Sequence, residues 1–278
     1  MKKKFKKYLP KIIGVQINSL HLVKPKKATQ KTFYLFCSPR RGKVKPEQAP
    51  FLNQAKSFTV RHKELELQTY HWQGKGKTVL LVHGWESNSH RWKSLIEELQ
   101  AKDYNIFAFD APAHGYSEGS YIHVPLYSEC LSTMIKNVEP AYIVGHSIGA
   151  MTTVFNQHTS EVEIEKLVLL GPPSELTEIM SDFQRILSLK PRVMNDLENY
   201  FQEKIGYRFQ EFSIAKFAEK LSTKGLLIHD IYDKIAPISA SEAIHKNWKN
   251  SELLKTEGAG HSLNNSAINS AIIQYLNN

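Results

Sequence analysis

The sequence predicts an α/β fold with a mostly parallel, twisted sheet, helices on both faces and a helical cap insertion. From residue 78 onward, short apolar runs alternate with segments of helical periodicity, and this alternation is typical of parallel sheets. Two segments of alternating polarity precede that region, and a stretch of about fifty residues without a strand pattern interrupts it. These three observations determine the predicted fold class.

The strands are predicted from short apolar runs bounded by turn residues. Residues 57–61 and 64–72 alternate in polarity and are expected to pair antiparallel at a sheet edge. Buried strands are expected, in chain order, at residues 78–84, 104–110, 141–147, 166–171, 225–230 and 251–256. Helices are predicted where apolar residues recur every three or four positions, at residues 91–100, 124–138, 148–158, 238–248 and 264–276.

Residues 172–224 form the predicted insertion between two core strands. Helical periodicity occurs within it at residues 174–189, 193–206 and 212–221. A connection of this length within a compact domain usually has a function of its own. We therefore expect a helical cap over the site, with ordinary helical packing as the alternative. The core of the fold would then comprise residues 57–171 and 225–278.

Residues 1–56, the predicted N-terminal arm, carry the positive charge of the chain. Fourteen Lys or Arg and no Asp or Glu lie between Met1 and Pro46, whereas the remainder has 22 basic and 27 acidic residues. Five apolar residues share one helical face, namely Leu9, Ile12, Ile13, Ile17 and Leu20. Three interpretations stay open: an arm packed on the main domain, contact with an anionic membrane surface, and an export signal without a cleavage site. Nucleic-acid contact is disfavoured, because few aromatic residues are interleaved and no recognition module occurs.

Composition limits the class of protein. A chain of 278 residues that is 41% hydrophobic can bury a sizeable core, and no apolar run approaches the ~20 residues of a bilayer span. Two cysteines, Cys37 and Cys130, make no disulfide framework and are expected to be reduced thiols in a cytoplasmic protein. Membrane association stays open. No cluster has metal-ligand spacing, so we expect neither a metal nor an organic cofactor.

A nucleophile motif lies at the end of one predicted strand. Gly145-His146-Ser147-Ile148-Gly149 is a G-x-S-x-G pattern that follows an apolar strand and opens a helix. This strand–turn–helix setting is the one that the motif requires, because glycines relieve the clashes of a sharp turn. Ser147 is therefore the predicted nucleophile, and the backbone N–H of Ile148 can face a developing oxyanion.

A serine hydroxyl needs a base to become a good nucleophile. His261 is the candidate among twelve histidines, because it lies in a glycine-rich loop between the last strand and the last helix. That loop is expected at the carboxyl ends of the strands, where Ser147 also lies.

The base needs an acid that fixes its tautomer. Asp230 ends the predicted strand at residues 225–230, and Asp233 lies three residues further along the chain. Asp233 is preferred because it lies further into the loop, four residues before Pro237, which can start the next helix. Glu175 is a third and more distant candidate.

Together these motifs resemble the α/β-hydrolase family over roughly residues 66–276, and the Ser–Asp–His order along the chain is typical of that family. His83-Gly84-Trp85 is similar to the family's oxyanion loop, which implies that the amide of Trp85 joins that of Ile148. Asp110 begins a segment that resembles a structural turn of the family, so we assign it no chemistry. Glu86 stands where the family usually has a proline.

The resemblance implies a serine hydrolase that forms an acyl-enzyme on Ser147 and acts on a small-molecule ester or thioester. Relatives of this fold that act on haloalkanes or epoxides have an aspartate at this position. An acyltransferase with the same triad and a non-catalytic ligand-binding protein on the same fold are the alternatives, because the fold does not determine the substrate.

Four side chains are predicted to bind substrate. Trp85 and His146 adjoin the reacting groups in the sequence, whereas Phe183 and Leu187 belong to the apolar residues of the predicted cap. His146 is too close to Ser147 in the chain to act as its base, so its ring is expected to face the core or the cap.

Overall fold

An eight-stranded sheet forms the centre of the protein. The computed structural model describes the backbone of residues 2–160 and 162–278, and the side chains from Tyr8 onward within those ranges. The strands are β1 (Lys56–His62), β2 (Leu65–Trp72), β3 (Thr78–Val82), β4 (Asn105–Phe109), β5 (Tyr142–His146), β6 (Lys166–Leu170), β7 (Lys224–Asp230) and β8 (Ser251–Thr256). Their order is β1-β2-β4-β3-β5-β6-β7-β8.

Strand direction follows the prediction. β2 is antiparallel to both β1 and β4, and every other neighbouring pair is parallel. The parallel strands therefore bring their carboxyl ends to one edge of the sheet, and the predicted mostly parallel α/β fold is confirmed.

Helices connect these strands, and helices are also the first and last elements in chain order. They are α1 (Lys2–Val23), α2 (Pro25–Cys37), α3 (Ala49–Leu52), α4 (Lys93–Gln100), α5 (Val124–Val138), α6 (Ile148–Thr159), α7 (Leu176–Leu187), α8 (Pro191–Ile205), α9 (Ile214–Phe217), α10 (Ile238–Asn247) and α11 (Ser266–Asn277). Short 3₁₀ helices span Ser89–Trp92 and Ala218–Lys220.

Helices cover both faces of the sheet. α4 and α11 share one buried cluster with alternate residues of the central strands, while α5, α6 and α10 contact the strands from the other face. In β3 the four residues from Val79 to Val82 are all fully buried, because successive side chains point to opposite faces and each face is covered. This explains why the central strands are continuous apolar runs in the sequence.

The chain divides into two compact units. Residues 1–38 and 175–213 form one, here called the helical unit, and residues 39–174 and 214–278 form the other, the sheet unit. This division differs from the predicted segments, because α1 and α2 share a unit with α7 and α8. α9, predicted within the insertion, packs on α6 and α10 in the sheet unit.

Close contacts join α1 to the end of α7 inside the helical unit. Gly14 lies so near α7 that a Cβ there would be 1.6 Å from the carbonyl oxygen of Leu187. The Asn18 amide donates to the carbonyl of Ser188 at 3.0 Å and accepts from the N–H of Lys190 at 2.9 Å. Gly14 thus allows the inner face of α1 to approach α7 closely, and the Asn18 side chain pairs with backbone groups that follow the end of α7.

The two cysteines are free and buried. Burial raises the pKa of both Cys37 and Cys130 to about 12, so neither thiol ionises readily. Within the residues that the structure describes, no helix combines the length and the hydrophobicity of a bilayer span.

Candidate active site

Ser147 lies in the sharp turn between β5 and α6. Its φ of 53° and ψ of −122° form a strained conformation for a residue with a side chain, and its backbone N–H donates to the carbonyl of Leu170 at 2.8 Å. A Cβ on Gly149 would lie 2.3 Å from the carbonyl oxygen of Val82, and one on Gly145 would lie 2.9 Å from the backbone of α6. Both glycines of the motif are therefore required by backbone contacts, and the turn holds the serine at the carboxyl edge of the sheet.

The hydroxyl of Ser147 meets two side chains that are distant in the sequence. His261 Nε2 lies 3.0 Å from Ser147 Oγ, and His261 Nδ1 lies 2.7 Å from Asp233 Oδ2. Because a carboxylate only accepts hydrogen bonds, Nδ1 carries the hydrogen, and Nε2 of the neutral ring presents its lone pair to the hydroxyl. This is the tautomer that a general base for serine requires.

The carboxylate of Asp233 is fixed by main-chain donors. Its Oδ1 accepts the N–H of Ile235 at 2.8 Å and the N–H of Ala236 at 3.1 Å. The side chain has no exposed surface, so its remaining oxygen is directed at His261 in an environment without bulk water. Such a buried and oriented carboxylate is suited to stabilise a cationic imidazole.

A second histidine, His229, also lies against this carboxylate. His229 Nε2 is 2.9 Å from the carbonyl oxygen of Ala236 and 3.4 Å from Asp233 Oδ2. Since a carbonyl only accepts, this nitrogen carries the hydrogen, and Nδ1 accepts from the hydroxyl of Ser241 at 2.6 Å. His229 is not among the site residues predicted from the sequence. Its one signal was its place near the end of β7, four positions before Asp233.

Asp230, the alternative acid, holds the loop that leads to His261. Its Oδ2 accepts the N–H of Ala259 at 2.7 Å and its Oδ1 accepts the N–H of Tyr232 at 3.0 Å. Burial raises the pKa of this carboxyl, but the hydrogen bonds from Ala259 and Tyr232 outweigh that effect and bring the pKa below its ordinary value. Asp230 therefore orders the backbone around the site, whereas Asp233 contacts the imidazole.

The loop after β3 is held by buried histidines. His83 Nδ1 donates to the carbonyl of Gly84 at 2.8 Å, and its Nε2 accepts the N–H of Ala111 at 2.9 Å. The N–H of Glu86 donates to His114 Nε2 at 3.0 Å. Glu86 has a φ of 49°, which the ring of proline excludes. The loop could not take this shape with the proline expected at this position.

Two main-chain N–H groups near Ser147 have no acceptor. The amides of Trp85 and Ile148 are not hydrogen-bonded to any residue that the structure describes. A Cβ on Gly84 would lie 3.1 Å from Ser147 Cβ, which places the Trp85 loop directly beside the serine. Two free donors next to a nucleophile are the components of an oxyanion hole. The indole of Trp85 packs edge-on against His114, with 36% of the residue exposed.

His146 supports the loop that carries His261. Its ring is buried, its Nε2 donates to the carbonyl of His261 at 2.8 Å, and its Nδ1 has no partner among the described residues. Burial lowers the pKa of this imidazole well below its ordinary value. The ring is buried against this loop, and its contact with substrate stays a prediction.

The two predicted cap residues lie inside the helical unit. The ring of Phe183 packs edge-on against Phe36 with centroids 5.1 Å apart, and Leu187 is buried. Glu175, the third candidate acid, accepts a hydrogen bond from the hydroxyl of Ser213 at 2.7 Å. The substrate contacts of Phe183 and Leu187 stay predictions.

Buried neutral histidines make the stability of the protein sensitive to acid. Burial lowers the pKa of His83, His114 and His123 to about 4, from an ordinary value of 6.5. The unfolded chain therefore binds more protons than the folded one between about pH 6.5 and pH 4, so stability is fully present above this window and falls as the pH is lowered through it. The Nε2 atoms of His83 and His114 already accept backbone N–H groups, and protonation breaks those hydrogen bonds.

We expect the melting temperature to drop by about 10 °C or more between pH 7 and pH 4.5. One such histidine shift corresponds to roughly 3 kcal/mol, and in a chain of this size 1 kcal/mol moves the melting temperature by about 2–4 °C. Thermal unfolding followed by circular dichroism across this range measures the effect. A melting temperature that is constant down to pH 4.5 would show that these rings are not buried in the neutral form.

The assembled groups supply the parts of nucleophilic acyl transfer. They are a hydroxyl, an imidazole oriented by a carboxylate, and two unpaired amides beside the hydroxyl. In the described part of the chain, no group of three or more His, Cys, Asp or Glu is arranged to hold a metal ion.

Two known families match the chain from residue 74 onward. Residues 74–210 match the family described as serine aminopeptidase, S33, and residues 210–278 match the family described as TAP-like protein. Together the two matches run from before β3 to residue 278, a range that includes Ser147, Asp233 and His261.

Individual relatives are similar at moderate identity. The uncharacterized hydrolase YugF of Bacillus subtilis is 27% identical over 236 residues, which cover 69% of this chain and 86% of the relative. The pimeloyl-[acyl-carrier protein] methyl ester esterase of Vibrio parahaemolyticus is 29% identical over 104 residues, 36% of this chain and 40% of the relative. The solved structure of the esterase Pf2001 of Pyrococcus furiosus superposes with a TM-score of 0.65 at 20% identity, over 86% of this chain and 96% of that one. The last comparison shows a shared fold.

Proposed function

The chain belongs to the α/β-hydrolase family, and on this basis we propose that it is a serine hydrolase that cleaves a carboxylic ester or thioester. The observation that carries the proposal is the pair of hydrogen bonds that join Ser147, His261 and Asp233. The name of one similar protein, a methyl ester esterase, supports the substrate class.

In the first half of the reaction, Ser147 Oγ attacks the acyl carbon of the substrate while its proton passes to His261 Nε2. The electron pair of the carbonyl bond moves to the oxygen, which the amides of Trp85 and Ile148 stabilise. When the tetrahedral intermediate collapses, the bond to the leaving group breaks, and His261 gives its proton to the departing alcohol or thiol. The acyl group is then esterified to Ser147.

In the second half, water takes the place of the alcohol. His261 Nε2 accepts a proton from water as its oxygen attacks the acyl carbon, and the proton returns to Ser147 Oγ as the ester bond breaks. A carboxylic acid leaves and the enzyme is restored. Throughout both halves Asp233 stabilises the transient imidazolium and keeps Nδ1 protonated.

Activity across an acyl-chain-length series tests the substrate class. We would compare p-nitrophenyl esters, the matching acyl thioesters of coenzyme A and aminoacyl p-nitroanilides, with the Ser147→Ala variant as background. Ester or thioester turnover that exceeds the Ser147→Ala background, while anilide turnover does not, supports the proposal. Turnover of the anilides alone would contradict it and indicate a peptidase.

A second arm of the same experiment adds a primary alcohol to the assay and quantifies the acylated alcohol against the free acid. Water as the main acceptor supports a hydrolase. Acylated alcohol as the main product at modest alcohol concentration would instead identify an acyltransferase that uses the same residues. Binding of ester without any product would identify a ligand-binding protein.

A further inference from the structure

The outer face of α1 is apolar and exposed. Tyr8, Ile12, Val15 and Leu22 follow one another at spacings of four, three and seven residues, which align them in one stripe along the helix, here called the outer stripe. These four residues are 54%, 41%, 64% and 70% exposed. Leu9 and Val23 flank the stripe, so six of the fourteen large apolar residues that are exposed in the described part of the chain lie on this helix.

The outer stripe lies away from the described contacts that pack α1 within the helical unit. The opposite face of α1 makes those contacts, through the close approach of Gly14 to α7, the buried Ile17 and the hydrogen bond between His21 Nε2 and Asp196 Oδ2 at 2.8 Å. A helix that already buries one face is expected to expose polar residues on the other. An exposed apolar stripe at this position, interrupted by the exposed Ser19, indicates an interaction site.

The positive charge around the stripe favours an anionic partner. Lys11 is exposed beside Val15, and Lys24, Lys26 and Lys27 are exposed directly after the end of the helix. Five further lysines precede Tyr8 in the sequence, and no acidic residue occurs before position 47. Two copies of the chain that met through this face would bring like charges together, whereas lipid phosphates would neutralise them.

We propose that the outer stripe of α1 docks on the surface of an anionic lipid bilayer. Val15 and Leu22 enter the boundary between headgroups and acyl chains, and the lysines at the two ends of the stripe bind lipid phosphates. The helix lies in the plane of the surface and does not cross it. The sheet unit, with its hydrolase site, is thereby retained at a lipid surface.

Vesicle binding by the full-length protein tests this proposal. Co-sedimentation would compare vesicles of phosphatidylcholine with vesicles that contain about one third phosphatidylglycerol, at low salt and at about 0.5 M NaCl. We expect binding to the anionic vesicles that weakens at high salt. The double variant Val15→Ser/Leu22→Ser keeps every charge and should lower the partition coefficient about tenfold or more, because two apolar side chains no longer leave water.

The matched control is Val162→Ser/Leu254→Ser, which makes the same two changes at exposed positions of the sheet unit. It should bind within about twofold of the wild type, and circular dichroism checks that both variants keep their helix content. Wild-type protein that does not bind anionic vesicles would overturn the proposal. A Val15→Ser/Leu22→Ser variant that binds them as strongly as the wild type would overturn it too. Light scattering without lipid adds one more decisive outcome: a wild-type dimer that this variant converts to a monomer would identify the stripe as a self-association surface instead.

Discussion

Replacing Ser147 by alanine should reduce ester turnover by about 10⁴- to 10⁶-fold while the protein remains folded. The substitution removes the attacking oxygen, and the remaining groups have no bond to make with the acyl carbon. Alanine fits the same turn, because the strained φ of 53° and the contacts of Gly145 and Gly149 do not depend on the hydroxyl. Steady-state hydrolysis of a short p-nitrophenyl ester measures the loss.

Ser89→Ala serves as the control for this prediction. Ser89 is another buried serine of the sheet unit, and its hydroxyl donates to Asp110 rather than to a histidine. We expect this variant to lose stability but to retain turnover within about tenfold, since one buried hydrogen bond contributes on the order of 1–3 kcal/mol. Equal rates for wild type and Ser147→Ala would remove Ser147 from the mechanism.

The second large effect concerns the acid. Asp233→Asn should lower kcat by about 10⁴-fold with little change in structure. Two backbone N–H groups point at Oδ1 of Asp233, so the asparagine will place its oxygen there and turn its NH₂ group toward His261 Nδ1. That nitrogen must then accept, and the proton moves to Nε2, which can no longer take the proton of Ser147.

Asp230→Asn separates this tautomer effect from general damage near the site. Asp230 also accepts backbone N–H groups, but it does not contact the imidazole. We expect a lower melting temperature and a loss of kcat below about 100-fold for this variant. The opposite ranking, in which Asp230→Asn is the more damaging to kcat at temperatures where both variants are folded, would assign the acid role to Asp230.

Much of the fold could be predicted because its strands have distinct patterns. The run from Val79 to Val82 is apolar at every position because both faces of β3 are covered, whereas β1 at the sheet edge and β2 next to it alternate in polarity. The predicted helices of the core follow from their spacing of apolar residues. Parallel order among the central strands follows from the helices that connect them.

The arrangement of the helical unit could not be predicted in the same way. Periodicity shows that a helix has an apolar face, but not which surface covers it. α1 and α2 are separated from α7 and α8 by more than a hundred residues of sheet unit, and the Gly14 contact with Leu187 has no local signal. From the sequence alone, the N-terminal segment and the insertion are therefore predicted as separate regions.

The candidate site shows the same limit. Ser147 is marked by a local motif, since the glycines on either side of it are required by the turn. Asp233 could be preferred over Asp230 only from its place in the loop. The groups that each carboxylate contacts separate the two clearly, but those contacts depend on the fold and leave no local pattern in the sequence. His229 and His146 act through contacts with residues brought close by the fold, including the carbonyl of His261.

The central claim is that His261 and Asp233 make the hydroxyl of Ser147 a nucleophile that carries the acyl group. Mass spectrometry of the protein after rapid acid quenching of a reaction with a slowly hydrolysed ester tests it most directly, with peptide mapping of the added mass. We expect one acyl group on Ser147 in the wild type, and none in the His261→Ala variant under the same conditions. Turnover by the wild type with the acyl group on another residue, or equal acylation of Ser147 without His261, would contradict it.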